Sequence, residues 1–494
     1  MVHYMPGDRT PGDDGHDAGA RDDAAAAAPP PPEPPEPPER EPLLVAGRVA
    51  KDQLTPPQVV EALDRHVVGQ AKAKRAVAIA MRNRLRRQAV GGVLAQDITP
   101  RNILMIGPTG VGKTEIARRL ARLTGSPFIK VEASKYTEVG YVGRDVESMV
   151  RDLVGEAVQM VREEMEAAVR GRAETSVEER LVDLLISGGG TNVDAEAVRR
   201  RRESLKTQLR AGHLKDRRVD VDVEEAPAFP GLSIFGGQGE SIDLNLGGLQ
   251  GLAGLPGMGP RTKRRNVSIG EAREIFLAEE QKKLVDDEHV KREALDRVQT
   301  SGIIFLDELD KVAGREGSHG PDVSREGVQR DLLPIVEGTT VQTKWGPVRT
   351  DHVLFIAAGA FHVSKPSDLI PELQGRFPVR VELQSLGKDD FVRILTEPDS
   401  SLTRQASALL MTEGVSLTFT PDGVEAIAEY AMRVNSTTED IGARRLHTIL
   451  ETVLEDASFS ADALSGQEVR VDAERVHARL RDIVKDQDYT RYVL

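Results

Sequence analysis

The 494-residue sequence contains no cysteine, one tryptophan and few aromatic residues, which make up 4% of the chain. The lack of cysteine excludes disulfide bonds, thiolate metal sites and a cysteine nucleophile. No apolar run approaches the length of a membrane span, and the N-terminus lacks a basic segment followed by an apolar core. The sequence therefore predicts a cytoplasmic protein that is neither inserted in a membrane nor secreted.

Positive charge is scarce relative to negative charge. The chain has 79 acidic and 66 basic residues, which give a formal net charge of -13. This balance disfavours a nucleic-acid partner, because nucleic-acid binding draws on a basic face. One basic run consists of Arg82, Arg84, Arg86 and Arg87. We expect this run to line a solvated or intersubunit face of a helix.

Residues 1–53 differ from the rest of the chain in composition. They are rich in alanine and proline and include Glu-Pro-Pro repeats. This composition predicts a disordered tail with a polyproline II stretch. Three roles stay open for it: a tether or docking peptide, a passive tail, or a translation start placed too early.

Strand and helix patterns divide the remaining residues into three parts. Short apolar strands are predicted at 103–106, 128–131, 303–306 and 353–357. They alternate with helices, which predicts an α/β nucleotide-binding core with a mostly parallel sheet, built from residues 54–155 and 299–385.

Between residues 156 and 298 the alternation of short apolar strands with helices stops. Charged helical stretches at 161–172, 178–185 and 195–209 lead into a Gly-rich run, so we predict an inserted domain at 156–298. From residue 420 onward the periodicity is helical, which predicts a small helical domain at 386–494. Within it, Ser436 to Glu439 could form a capping box before a helix.

A phosphate-binding loop of the Walker A form follows the strand at 103–106. It reads Gly107-Pro108-Thr109-Gly110-Val111-Gly112-Lys113-Thr114. Glycines let the backbone N–H groups of such a loop turn toward phosphates, where the N-terminus of the next helix adds a favourable potential. Lys113 would neutralise the β- and γ-phosphates, and Thr114 would bind Mg²⁺. The predicted ATP contacts here are Gly110, Val111, Gly112, Lys113, Thr114 and Glu115.

A second motif delivers two carboxylates at the end of a buried strand. It is the run Ile303-Ile304-Phe305-Leu306-Asp307-Glu308. Asp307 would hold Mg²⁺, and Glu308 would orient and polarise the attacking water. Phosphoryl transfer also requires positive charge on the γ-phosphate, for which Arg376 and Arg444 are candidates, although spacing alone favours surface salt bridges for both.

Residues 54–494 resemble the HslU family of AAA+ unfoldases, whose members partner the proteasome-like peptidase HslV. The matching stretches are 107–120, 137–143, 322–338, 365–377, 441–448 and 492–494. The resemblance implies a P-loop AAA+ core with an inserted intermediate domain and a small C-terminal helical domain. It also implies a homohexamer that binds ATP between the large and small domains of each subunit.

The resemblance assigns roles that spacing leaves open. Val68 corresponds to an adenine contact, and Arg444 corresponds to the nucleotide sensor of the small domain. Arg376, with Glu372, would be presented to the nucleotide of the neighbouring subunit, where Arg376 would act catalytically.

Two further segments gain a meaning from the resemblance. Gly140, Tyr141, Val142 and Gly143 form either an ordinary Gly-flanked turn or a mobile apolar tip that grips polypeptides. The family implies the second, a substrate pore loop. The family also implies that Tyr492, Val493 and Leu494 at the chain end dock into the peptidase ring and activate it.

We therefore expect an ATP-driven protein unfoldase with ATP and Mg²⁺ as cofactors. It would thread unfolded or tagged proteins into an HslV-like peptidase, without cutting peptide bonds itself. A ClpX-type unfoldase is disfavoured by the lack of cysteines for a zinc domain and by the long insert. An AAA+ nucleic-acid motor is motivated only by the basic run. A scaffold that binds ATP without hydrolysis is disfavoured because both motifs are complete.

Overall fold

The computed structural model describes residues 54–90, 92, 94, 98, 101–137, 144–187, 195–225, 261–314 and 325–485. Three sequence predictions lie outside these residues. They concern the tail at 1–53, the motif at 140–143 and the chain end at 492–494.

A five-stranded parallel sheet forms the centre of the nucleotide-binding core. Its strands are β1 (Ile103–Ile106), β2 (Phe128–Glu132), β5 (Ile303–Asp307), β8 (Leu354–Gly359) and β9 (Val379–Glu382). They are ordered β2-β5-β8-β1-β9, and every neighbouring pair is parallel. Apolar runs form such strands because both faces of a parallel sheet are covered. The predicted α/β fold class with a mostly parallel sheet is confirmed.

Successive residues of β5 point into different cores. Phe305 packs with α1 (Pro56–Asp64), α2 (Ala71–Val90) and α3 (Lys113–Thr124) on one face. Leu306 packs on the opposite face, in a core that also contains residues of α4 (Ser148–Ser187) and α7 (Asp287–Ser301). This alternation follows from the two-residue period of a strand.

Helix α4 is continuous over 40 residues, which corresponds to a length of about 60 Å. The helical stretches predicted at 161–172 and 178–185 are therefore parts of one helix. The predicted boundary at residue 156 lies inside it. The first half of α4 contributes Met149 and Leu153 to the core beneath the sheet, and the second half contributes Leu181 and Val182 to a separate core. One helix thus reaches from the nucleotide-binding core into the insert.

The insert also contains a strand pair that the sequence reading missed. Strands β3 (Arg218–Glu225) and β4 (Arg261–Ser268) pair antiparallel on either side of the Gly-rich run. Val221 and Val267 are buried against α6 (Ile269–Leu284), while charged residues alternate with them. The described insert also contains helix α5 (Ala195–Arg210).

The C-terminal part of the described chain packs around its own core. Its helices are α10 (Lys388–Thr396), α11 (Leu402–Met411), α12 (Pro421–Thr437), α13 (Arg444–Phe459) and α14 (Ala473–Lys485). A parallel strand pair, β10 (Ser416–Phe419) and β11 (Glu468–Val471), accompanies them.

The elements that join β5 to β9, apart from β8, are α8 (Arg325–Glu337), β6 (Thr340–Thr343), β7 (Gly346–Arg349) and α9 (Pro371–Arg376).

The capping box predicted at Ser436 to Glu439 does not form. Ser436 lies in the last turn of α12, where its hydroxyl donates to the carbonyl of Arg433. Helix α13 begins only at Arg444, and no side chain caps its N-terminus. The serine satisfies a carbonyl at the end of one helix rather than an N–H at the start of the next.

In the basic run of α2, Arg84 and Arg87 bind carbonyls of the same chain, whereas Arg86 is exposed. The predicted solvated face is therefore wrong for Arg84 and Arg87, and the intersubunit alternative stays a prediction. The Arg84 guanidinium donates to the carbonyls of Ser301, Gly302 and His352, at 3.0, 2.7 and 2.8 Å. Burial lowers the Arg84 pKa to about 9, and the charge of Arg87 adds to this effect. Arg84 therefore ties α2 to the C-terminus of α7, where a cation also complements the helix dipole.

None of the helices described is both long and apolar enough to cross a membrane.

Replacing Arg84 with methionine should destabilise the nucleotide-binding core by about 3 kcal/mol, because three carbonyls lose their donor. Chemical denaturation followed by circular dichroism measures this loss. The matched control is Arg82→Met, since Arg82 makes no hydrogen bond within the described residues. Equal effects of the two substitutions would contradict the anchoring role.

Candidate nucleotide-binding site

The Walker A loop connects β1 to α3 and leaves the N-terminus of α3 uncapped by any side chain. Gly112 precedes the helix with a φ of 99°, a conformation that favours glycine. The free N–H groups of the first helical turn are therefore available to an anion. This arrangement fits the phosphates of a nucleotide.

Lys113 points into its own loop. Its ammonium donates to the carbonyls of Gly107 and Pro108, at 2.5 and 2.7 Å. Burial lowers the Lys113 pKa, while the nearby charges of Asp307 and Asp310 act in the opposite direction. The ammonium thus lies between the loop and the acidic end of β5, where a phosphate oxygen could replace a carbonyl as its partner.

Asp307 lies at the end of β5 and is bound on both carboxylate oxygens. Oδ2 is 2.8 Å from the Lys130 ammonium on the neighbouring strand β2, and Oδ1 accepts from the Glu308 N–H at 3.0 Å. The Thr114 hydroxyl makes no hydrogen bond to another described residue. Hydroxyl and carboxylate oxygens suit Mg²⁺, so these two residues fit the ion, although it would share Asp307 with Lys130.

Sequence reasoning missed Lys130. The signal that could have found it is a lysine in the middle of the apolar strand that pairs with the Asp307 strand. Strand order is a tertiary property, so the sequence alone could not tell which strand would lie beside β5.

Glu308 adopts a left-handed backbone conformation, with a φ of 56°. Its Oε2 atom accepts from the Ser134 hydroxyl at 3.1 Å and is 2.9 Å from the Lys311 ammonium. The hydrogen bond from Lys311 is the main cause that lowers the Glu308 pKa. The side chain is therefore a carboxylate at neutral pH, which suits the orientation of a water molecule. Strained backbone of this kind is often found at functional sites.

Val67 and Val68 lie in the segment that follows α1 and are both buried. A Cβ atom built on Gly112 would lie 3.3 Å from the Val67 side chain, so this segment packs directly on the Walker A loop. The position of Val68 next to that contact is compatible with its predicted role at the adenine, which stays a prediction.

The turn before α13 contacts the Walker A loop through backbone atoms. The Ala443 N–H donates to the Gly110 carbonyl at 3.1 Å. A Cβ atom on Gly110 would lie 1.9 Å from the Ile441 carbonyl oxygen, so only glycine permits this approach. Arg444 follows immediately, and its charge helps to lower the Lys113 pKa. The structure thus brings Arg444 to the phosphate side of the loop.

Arg376 and Glu372 lie on α9, away from this group. Arg376 forms an ion pair with Glu337 at 2.7 Å, and its carbonyl accepts from the Asn102 side chain at 3.1 Å. Glu372 is exposed in the first turn of the helix. Neither residue has a hydrogen bond or ion pair to the Walker A loop of the same chain within the described residues. Their predicted action on a neighbouring subunit stays a prediction.

Comparisons with known proteins agree with this geometry. The AAA domain of the Cdc48 subfamily matches residues 246–380, and the ATPase family associated with various cellular activities matches residues 103–188. The chain is 55% identical over 442 residues to the "ATP-dependent protease ATPase subunit HslU" of Xanthobacter autotrophicus, an alignment that covers 89% of this chain and 99% of the relative. The chain belongs to the HslU family.

Two other relatives carry the same name. The Myxococcus xanthus protein is 56% identical over 460 residues, with coverage of 89% of this chain and 99% of the relative. The Thermotoga maritima protein is 52% identical over 465 residues, with coverage of 90% and 99%. As a member of the HslU family, this chain is an AAA ATPase that binds ATP. The family also favours the predicted HslU-type unfoldase over the ClpX-type unfoldase and the nucleic-acid motor.

Glu308→Gln should bind ATP with near-normal affinity but hydrolyse it at least about a hundredfold more slowly, because the carboxylate no longer polarises water. Phosphate release measures turnover, and a fluorescent ATP analogue measures binding. Glu132→Gln is the control, since Glu132 ends β2 beside Asp307 without contacting the Walker A loop in the described structure. Turnover at the wild-type rate would remove Glu308 from its role.

Gly442→Ala should weaken nucleotide binding by at least about tenfold, because the turn that carries Arg444 would be pushed off the Walker A loop. The new Cβ atom would lie 2.7 Å from the Thr109 carbonyl oxygen and 2.8 Å from Gly110. Gly466→Ala is the matched control. Gly466 has a similar positive φ of 79° but open space around it, so it reports conformational strain without the clash. Equal losses in both variants would show that strain alone is responsible.

Proposed function

We propose that this chain hydrolyses Mg-ATP at the site formed by the Walker A loop, Asp307 and Glu308, and uses the energy to unfold proteins and thread them into an HslV-like peptidase ring. The printed name shared by its relatives, an ATPase subunit of an ATP-dependent protease, supports a peptidase partner. The observation that carries the mechanical part is the contact between Gly110 and Ala443, because it joins the nucleotide loop to a second core.

In this proposal each site residue has one task. Lys113 and Arg444 neutralise the phosphates, Thr114 and Asp307 hold Mg²⁺, and Glu308 orients the water. Bound Mg²⁺ would neutralise charge on the β- and γ-phosphates. Val68 contacts the base, while Arg376 and Glu372 reach the nucleotide of the next subunit in a homohexameric ring. The ion pair between Arg376 and the exposed Glu337 supports this, since it leaves Arg376 at the surface.

The residues that flank the Gly-Tyr-Val-Gly motif support its role in gripping a substrate. The Thr137 N–H donates to the Arg144 carbonyl at 3.3 Å, and Arg144 is paired with Asp152 at 2.5 Å. Tyr136 is buried, and burial raises its pKa to about 12. The motif therefore starts and ends at anchored residues just beyond β2, the strand whose Lys130 binds Asp307. The residues that flank the motif are thus connected through β2 to Asp307.

The remaining parts of the proposal follow from the family resemblance. The terminal Tyr492, Val493 and Leu494 dock on the peptidase, beyond the end of α14 at Lys485. The large domain comprises 54–155 and 299–385, the intermediate domain 156–298, and the small domain 386–494. Two calls drawn from composition, a cytoplasmic location and a tail at residues 1–53, complete the proposal.

Degradation of a folded model protein, with ATP and purified HslV-type peptidase, tests the proposal. The wild-type chain should support ATP-dependent degradation, and Tyr141→Ala should abolish it while substantial ATP turnover remains. Tyr141→Phe is the control that retains the aromatic ring. Degradation by Tyr141→Ala at the wild-type rate would refute the gripping role.

Removal of residues 488–494 separates docking from unfolding in the same assay. The shortened chain should lose stimulation of the peptidase toward a small fluorogenic peptide but keep its ATPase rate. Retained stimulation would refute docking through the chain end.

A further inference from the structure

Gln70 has a strained backbone and a side chain that contacts a distant segment. Its φ is 55°, in the left-handed region that favours glycine. Its side-chain amide donates to the Gln384 carbonyl at 2.8 Å, and its side-chain oxygen accepts from the Gln384 N–H at 3.1 Å. The carboxamide thus binds both backbone groups of Gln384, as a neighbouring strand would.

Gln384 lies in the connector between the two cores. Strand β9 ends at Glu382 in the nucleotide-binding core, and α10 begins at Lys388 in the C-terminal core. Leu386, in between, packs against both cores. Segments that join two cores in this way are where a change of interdomain angle is absorbed.

The segment at 65–70 contacts the nucleotide loop as well as this connector. Val67 packs against Gly112 of the Walker A loop, and its carbonyl accepts from the buried ammonium of Lys74. At the other end, the Arg65 carbonyl accepts from the Asp399 N–H of the C-terminal core at 3.2 Å. The segment is therefore held by Lys74 and contacts the Walker A loop, the connector and the C-terminal core.

We propose that Gln70 is a positioning residue for ATP hydrolysis. It clamps the connector at Gln384 to the segment at 65–70 and thereby sets the placement of Arg444. Arg444 begins α13 in the C-terminal part, so its distance from the phosphates depends on the connector as well as on the contact between Ala443 and Gly110. Without the clamp the two cores sample more relative orientations, and fewer of them place Arg444 correctly. The left-handed backbone of Gln70 is the cost of aiming its carboxamide at Gln384.

Gln70→Gly is the primary test, because glycine accepts the left-handed backbone without strain and removes only the two hydrogen bonds. We expect kcat to fall at least about tenfold. Affinity for a fluorescent ADP analogue should change less than about threefold, because the Walker A loop is intact. Gln70→Glu keeps the acceptor but loses the donor, so it should also lower kcat.

Gln384→Ala is the matched control, since Gln70 binds only the backbone of Gln384 and that side chain is exposed. It should retain wild-type kcat. Thermal unfolding of each variant checks the fold. A kcat of Gln70→Gly within twofold of wild type would overturn the proposal, and so would equal losses of kcat and affinity that track a loss of stability.

A direct measurement of the interdomain distance completes the test. Because the chain lacks cysteine, spin labels can be placed on single cysteines at Arg122 of α3 and Met432 of α12, both exposed. Labelled chains are diluted with unlabelled ones and measured by double electron–electron resonance. A slowly hydrolysed ATP analogue should narrow the distance distribution in wild type but not in Gln70→Gly. Equal narrowing in both would refute the clamp.

The proposal rests on the proposed function, in which Arg444 of the C-terminal part acts on ATP bound at the Walker A loop. Its measurements require neither a peptidase nor a protein substrate. Loss of degradation with a normal ATPase rate and a normal distance response would therefore count against the unfolding mechanism alone. A normal kcat and a normal distance response in Gln70→Gly would count against the clamp alone.

Discussion

The backbone contact between the Walker A loop and the turn before α13 governs much of this structure. The Ala443 N–H donates to the Gly110 carbonyl, and both Gly110 and Gly442 have positive φ angles at the contact. The two loops approach through backbone atoms, so a shift of one loop is passed directly to the other. The shape of the phosphate-binding loop and the placement of the C-terminal core are therefore coupled.

Cations that bind main-chain carbonyls position the segments around this contact. Arg84 holds three carbonyls at the end of α7 and near β8, Lys74 holds the Val67 carbonyl, and Lys113 holds two carbonyls of its own loop. A buried carbonyl without a donor is costly, so each cation fixes its segment firmly. The chain has fewer basic than acidic residues, and some of its basic residues bind carbonyls inside the protein rather than lying on a binding surface.

Several local predictions failed where tertiary contacts outweighed the local pattern. Strands β3 and β4 were missed because charged residues alternate with only a few valines, and the arginines of α2 resembled a solvated face until α7 supplied carbonyls for Arg84. Ser436 matched a capping box, but α12 extends through it. In contrast, the apolar runs at β1 and β5 were predicted as parallel strands, because buried strands need an apolar residue at almost every position.

The sequence by itself determined the chemistry of this protein. The Walker A run and the paired Asp307 and Glu308 are local motifs whose residue types suffice for phosphate and metal binding. Only the tertiary structure decided that Lys130 binds Asp307, that Gly442 rests on the nucleotide loop and that Gln70 holds Gln384. These contacts join residues far apart in the chain, and their partners are often backbone atoms, which every residue possesses and no sequence pattern can mark.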